Sequence, residues 1–162
     1  MSKQKMNTTN INVGGWPASA MRTYVNGTVY NALPSDLQKV IATTIVISGH
    51  GETSNEANFT SSDKLYLFST KEIYGKKDTV YEVKYDTAET ETRQLEYYKN
   101  KEITTSNYSG VIKQYNESNT SFWLRSAYAN NTYYFFLSSH MGSRSFYSAD
   151  DTRGIFPAFR IA

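Results

Sequence analysis

From Ser118 to its end the chain contains no Lys, Glu or Gln, although all three are frequent before that point. Exposed strands and loops ordinarily carry Lys and Glu, which solvate well and guard strand edges. What remains is bounded by two apolar, strand-like runs, Phe122-Trp123-Leu124-Arg125-Ser126-Ala127 and Gly154-Ile155-Phe156-Pro157-Ala158-Phe159-Arg160-Ile161-Ala162. Between them, 126–154 is dominated by Tyr, Asn, Ser, Phe, Asp and Arg. An antibody combining site has a similar composition: Tyr supplies rigid amphipathic contact area, and Ser and Asn supply adaptable hydrogen bonds. The segment therefore points to binding rather than chemistry. A Tyr- and Ser-rich sheet face that merely packs is the competing reading.

The rest of the chain narrows the class. Its 162 residues suit one domain, and 39% hydrophobic residues with fourteen Tyr predict a largely aromatic core. A net charge of +2 without a basic run lacks the phosphate-neutralising stripe of a nucleic-acid binder. Absence of Cys excludes disulfides, Cys-based zinc sites and a thiol nucleophile. No apolar run reaches the ~18 residues of a membrane span. The start, Met1-Ser2-Lys3-Gln4-Lys5-Met6, does not read as a secretory signal. The chain is intracellular, exported by assembly into a particle, or cut from a longer parent.

Along the chain, 1–12 reads as a loose, disordered tail and 13–162 as one domain. Gly14-Gly15-Trp16-Pro17 turns into a helix over 18–30 that Asn26-Gly27 interrupts. A second helix over 36–42 takes Ser35 as N-cap and buries Leu37, Val40 and Ile41. Strands are expected at 43–47 and 64–68. Ser69-Thr70-Lys71-Glu72 has capping-box spacing, and Gly75 ends the helix it starts. A hairpin or loop at 76–87 precedes a helix over 89–100 with Leu95 and Tyr98 facing inward. A polar loop fills 107–120, and strands follow at 122–125, 133–137 and 155–161. Helices first and strands last imply an α+β fold with helices grouped on a small, mainly antiparallel sheet.

Catalytic constellations are sparse. His50 and His140 lack the companions of a metal motif, and His140 reads as a contact residue. Asp150-Asp151 are adjacent, so in a strand they point to opposite faces and cannot face each other across a sugar. A distant partner such as Asp86 or Glu89 is not suggested by any pattern. Calcium at Asp150 or Asp151 lacks the Asp-x-Asp-x-Asp-Gly pattern. There is no Gly-x-Ser-x-Gly elbow, and Ser48-Gly49-His50-Gly51 matches no phosphate loop.

Trp123-Leu124-Arg125-Ser126-Ala127, Tyr134-Phe135, Gly142 and Gly154-Ile155-x-Pro157-Ala158-Phe159-Arg160-Ile161 resemble the C-terminal signature of bacterial and phage C-type-lectin-like domains, near the formylglycine-generating-enzyme branch of that fold. Gly14-Gly15-Trp16, Met21-Arg22-Thr23-Tyr24, Leu33-Pro34-Ser35-Asp36-Leu37, Val46-Ile47-Ser48-Gly49-His50-Gly51, Asp63-Lys64-Leu65-Tyr66-Leu67 and Thr92-Arg93-Gln94-Leu95-Glu96-Tyr97-Tyr98 fit the same likeness. Some relatives are variable proteins of diversity-generating retroelements, in which a C-terminal repeat is mutated at adenines and Lys, Glu and Gln codons are avoided. By that likeness, the displayed ligand-binding positions are Tyr128, Asn130, Asn131, Tyr133, Ser139, His140, Arg144, Phe146, Tyr147, Asp150, Asp151 and Arg153. Trp123, Leu124, Arg125, Tyr134, Phe135, Pro157 and Phe159 are scaffold. The Glu-Pro-Asn and Gln-Pro-Asp sugar motifs and the formylglycine-generating enzyme's cysteine are missing, which argues against both activities.

The expectation is a non-enzymatic binding domain with no cofactor and no metal. It displays a fairly flat, preorganised Tyr/Asn/Ser surface over 126–154 to a protein or glycan receptor on a host or neighbouring cell. It acts outside the cell or on a cell or virion surface, without nucleic acid or membrane insertion. Three alternatives stand beside it: a fixed adhesin or carbohydrate-binding module, a hydrolase with a buried two-carboxyl or metal pocket, and a structural domain whose tyrosines only pack.

Overall fold

The computed structural model describes residues 2–49, 58–75, 93–129 and 131–162. His50, the stretch 76–87, Asp86, Glu89 and Asn130 lie outside the described residues.

The chain begins with a short strand, β1 (Lys3–Gln4). Gly14, at φ 82°, turns the backbone into α1 (Gly15–Ala18). Ser19 caps α2 (Ala20–Tyr24), its side chain accepting from the Arg22 backbone N–H. At Asn26-Gly27 the expected interruption takes the form of a π-helical turn, Val25–Val29. The third helix, α3 (Ser35–Val40), starts from Pro34 without a side-chain cap, so Ser35 does not serve as N-cap. Ile41 is buried as expected, whereas Val40 is exposed.

Strands β2 (Ile41–Ala42), β3 (Thr44–Ser48) and β4 (Phe59–Asp63) follow. β3 and β4 pair antiparallel over five positions. The predicted strand at 64–68 is displaced to polar β4. The apolar run is held instead by Asn26, whose Oδ1 accepts from the Lys64 and Leu65 N–H groups and whose Nδ2 donates to the Leu65 carbonyl. Only Tyr66 makes a bridge, to Ala158.

The capping box is present: Ser69 and Glu72 each accept from the other's backbone N–H, starting α4 (Thr70–Tyr74), and Gly75 at φ 73° stops it. Of the helix expected over 89–100, residues 93–100 are described and only one turn, α5 (Glu96–Lys99), is helical; Leu95 is its extended N-cap and Tyr98 is buried. The expected loop at 107–120 is structured as a 3₁₀ turn, Ser109–Val111, and a hairpin, β5 (Lys113–Tyr115) and β6 (Ser118–Thr120). Asn116 and Glu117 both take positive φ, as a tight primed turn demands.

The last strands are β7 (Phe122–Ala127), β8 (Tyr134–Ser138), β9 (Arg144–Ser148), β10 (Arg153–Gly154) and β11 (Arg160–Ile161). The main sheet runs β1-β10-β7-β8-β9, antiparallel except for the β10–β7 pair, and leaves β9 on an edge. The fold is α+β, with short helices and a small, mainly antiparallel sheet, as the element order implied.

Residues 2–12 are no loose tail. β1 joins the sheet, and Met6 and Asn12 are fully buried. A strand exposes alternate side chains on opposite faces, and β7 is buried throughout, so it carries a core on each face. Trp123, Phe135 and Leu137 pack with Met6, Trp16, Met21 and Val25. Phe122, Leu124 and Phe136 pack with Ile73, Tyr74, Tyr98 and Val111.

Two buried charge networks lock these layers. Arg125, 2% exposed, meets Glu72 through both terminal nitrogens at 2.5 and 2.9 Å and donates to the Leu67 and Ile47 carbonyls. Asp63, 1% exposed, accepts from Trp16 Nε1, the Ser61 hydroxyl and Arg22 Nε. A buried charge is tolerable only when paired and hydrogen-bonded, and both are. The Gly-Gly-Trp, Met-Arg, Asp63 and Trp-Leu-Arg pieces of the sequence therefore belong to one internal frame.

Candidate functional site

Strand β9 organises the candidate positions. It pairs with β8 in the register Phe135 to Tyr147 and Phe136 to Phe146. Alternation sends Arg144 and Phe146 to one face and Ser145 and Tyr147 to the other. The described candidate positions therefore do not form one flat sheet face, because a strand sends alternate side chains to opposite sides.

On the first side the Phe146 ring lies 4.6 Å from Tyr128 and 5.3 Å from Tyr134, centroid to centroid, and the Arg144 guanidinium lies 5.2 Å from the Phe136 ring. Tyr128 is only 8% exposed. It packs against Tyr134 and Phe136, and is a scaffold residue rather than a displayed one. Phe146, 40% exposed, is the outward member of this aromatic stack.

On the second side Ser139, His140, Tyr147 and Arg153 line a single open cleft of about 360 Å³, floored by Leu137 and bordered by Lys3. The Arg153 guanidinium sits 4.4 Å from the Tyr147 ring centre and pairs with Asp151 at 3.3 Å. Asp150 is half-buried and does not line the cleft. Tyr133, 50% exposed, stands at the loop between β7 and β8, where the Asn131 side chain accepts from its backbone N–H. Phe159, assigned to the scaffold, is exposed.

The loops carrying these side chains are fixed from behind. Asn12 Nδ2 donates to the carbonyls of Tyr128, Asn131 and Tyr134 at 2.8–3.0 Å. Asn10 and Asn7 bind the backbone of Ala149. In the β8–β9 turn Gly142 has φ 87°, and a Cβ there would lie 2.3 Å from the Tyr108 carbonyl oxygen. The Tyr74 hydroxyl donates to the Gly142 carbonyl at 2.7 Å. Burial raises the Tyr74 phenol well above its ordinary value, so it remains a donor.

Lys3, Asn12, Ser145 and Thr152 were not among the expected site residues. Lys3 reaches the cleft only because β1 pairs with β10, a contact between opposite chain ends that no local pattern announces. Ser145 follows from recognising β9 as a strand. Among the described residues no group of three or more His, Asp or Glu is arranged to hold a metal, and no helix is long and apolar enough to cross a membrane.

The chain belongs to a domain family of unknown function, DUF6273, which matches residues 1–162. No curated protein and no solved structure matches it.

Proposed function

We propose that the chain is a non-enzymatic binding domain of the C-type-lectin-like type, gripping a protein or glycan receptor at a cell or virion surface with the β9 margin. The observation that carries this reading is the outward set Tyr133, Phe146 and Tyr147, each 40–50% exposed on a backbone anchored by buried Phe135 and Phe136. Aromatic anchors of this kind carry most of the energy at protein interfaces, with polar neighbours excluding water around them. Fixed loops lower the entropy lost on binding. The same positions lie in the Lys-, Glu- and Gln-free segment, which supports a surface diversified by a retroelement.

Two measurements test the proposal. Binding of the labelled chain to candidate host or neighbouring cells is compared with that of a Tyr133→Ala/Phe146→Ala variant. The variant is expected to lose at least tenfold in affinity while keeping its melting temperature within a few degrees, and equal binding sinks the proposal. Sibling genes and a nearby template repeat test diversification: adenine-derived differences are expected at Tyr133, His140, Phe146 and Tyr147, and not at Phe135 or Phe136. Siblings that differ evenly along the chain remove the retroelement part.

A further inference from the structure

We infer that the cleft beside β9 is a subsite for a saccharide unit bearing a carboxylate. The inference rests on the binding-domain reading and names what the polar side of that margin recognises.

Charge is the first argument. Lys3 and Arg153, from the paired strands β1 and β10, both line the cleft with His140, and no Asp or Glu is among its described lining residues. Arg153 is already oriented: Nη1 donates to the Thr152 carbonyl at 3.0 Å and Nη2 to Asp151 at 3.3 Å. An ion pair as open as this one is weak, so an incoming carboxylate can share the guanidinium fork. Arg is suited to that role because its planar donors match a carboxylate in pairs.

Shape and polarity are the second. Beyond the cations, the cleft is lined by the hydroxyl-bearing residues Thr120, Ser139, Ser145 and Tyr147, a set suited to ring hydroxyls. The Ser139 and Ser143 hydroxyls lie 2.7 Å apart, so the first is held in place. The half-exposed Tyr147 ring adds an apolar patch for the C–H face of a pyranose. A volume of about 360 Å³ is near the lower end of small-ligand sites, which span roughly 300–1,000 Å³. A neutral sugar makes no use of the charge on Lys3 and Arg153. A bare phosphate leaves the apolar patch and most hydroxyls unused.

The test is an amide-resolved NMR titration of the whole chain with glucuronic acid, N-acetylneuraminic acid, glucose and inorganic phosphate in turn. Saturable shifts at Ser139, Ser145 and Arg153 are expected with one or both acidic sugars, with glucose and phosphate at least tenfold weaker. Arg153→Gln and Lys3→Gln should each weaken the acidic sugar about tenfold, and Arg153→Lys less. Ile45→Ala, exposed on β3 and absent from the cleft lining, should leave the titration unchanged. Glucose binding as well as glucuronic acid, phosphate binding as well as either acidic sugar, or no cleft shifts at all overturns the inference. If the cleft is silent while Tyr133→Ala/Phe146→Ala still abolishes cell binding, only the saccharide assignment is lost. If both fail, the binding-domain reading falls with it.

Discussion

Arg125 and Arg153 sit on neighbouring, parallel-paired strands and live in opposite worlds. The first is 2% exposed and engages a carboxylate and two carbonyls. The second has a side chain 27% exposed, rests on an aromatic ring, and shares one long ion pair with Asp151. The contrast extends to their surroundings. Around β7 every side chain is enclosed and every charge is answered. Along β9 rings and hydroxyls turn outward from the same sheet. One region spends its polar groups on cohesion, and the other holds its rings and hydroxyls partly exposed.

The comparison can be broken at its strong end first. Arg125→Ala strands the Glu72 carboxylate and should cost about 3–5 kcal/mol in chemical denaturation; a loss below about 1 kcal/mol refutes the view of β7 as the frame. The next effect is set by pH. Burial, with a smaller contribution from Tyr97, pushes the Tyr98 phenol up to about 12 from 10.0. The fold thus prefers the neutral phenol. Stability from this group is intact below pH 10 and is lost as pH rises through about 12, by roughly 2–3 kcal/mol. Urea unfolding across pH 9–12 measures the fall, and Tyr98→Phe should make it shallower.

Asn12→Ala removes three hydrogen bonds to the β7–β8 loop. It should cost about 1–3 kcal/mol and raise hydrogen exchange around 128–134 more than in α2. Uniform acceleration would show that the clamp is not local. The smallest expected effect sharpens the contrast: Arg153→Gln should change stability by no more than about 0.5 kcal/mol, read by the same denaturation. A large loss would place Arg153 in the frame beside Arg125.

What sequence could and could not reveal follows from the range of the interactions. The Ser69–Glu72 capping box was legible because its chemistry closes within one helical turn. β7 was legible because Phe122-Trp123-Leu124 opens it as a continuous apolar run, as a strand buried on both faces does. β9 was not, since Arg-Ser-Phe-Tyr-Ser carries rings on both faces of an edge and so lacks apolar alternation. The 64–68 run misled because Asn26, distant in sequence, replaces the ladder a strand would supply. Met6 and Asn12 sit in a polar stretch whose burial depends wholly on contacts with the far end of the chain. For the candidate surface, composition singled out the segment, but the division of Phe146 from Tyr147 required knowing where the edge falls.

The Asn12 amide donates to main-chain oxygens of the loop it steadies. Every amino acid offers the same carbonyl, so this clasp is indifferent to what is written at the three positions it grips. A loop buckled in that manner can exchange its outward lettering while its path through space stays put.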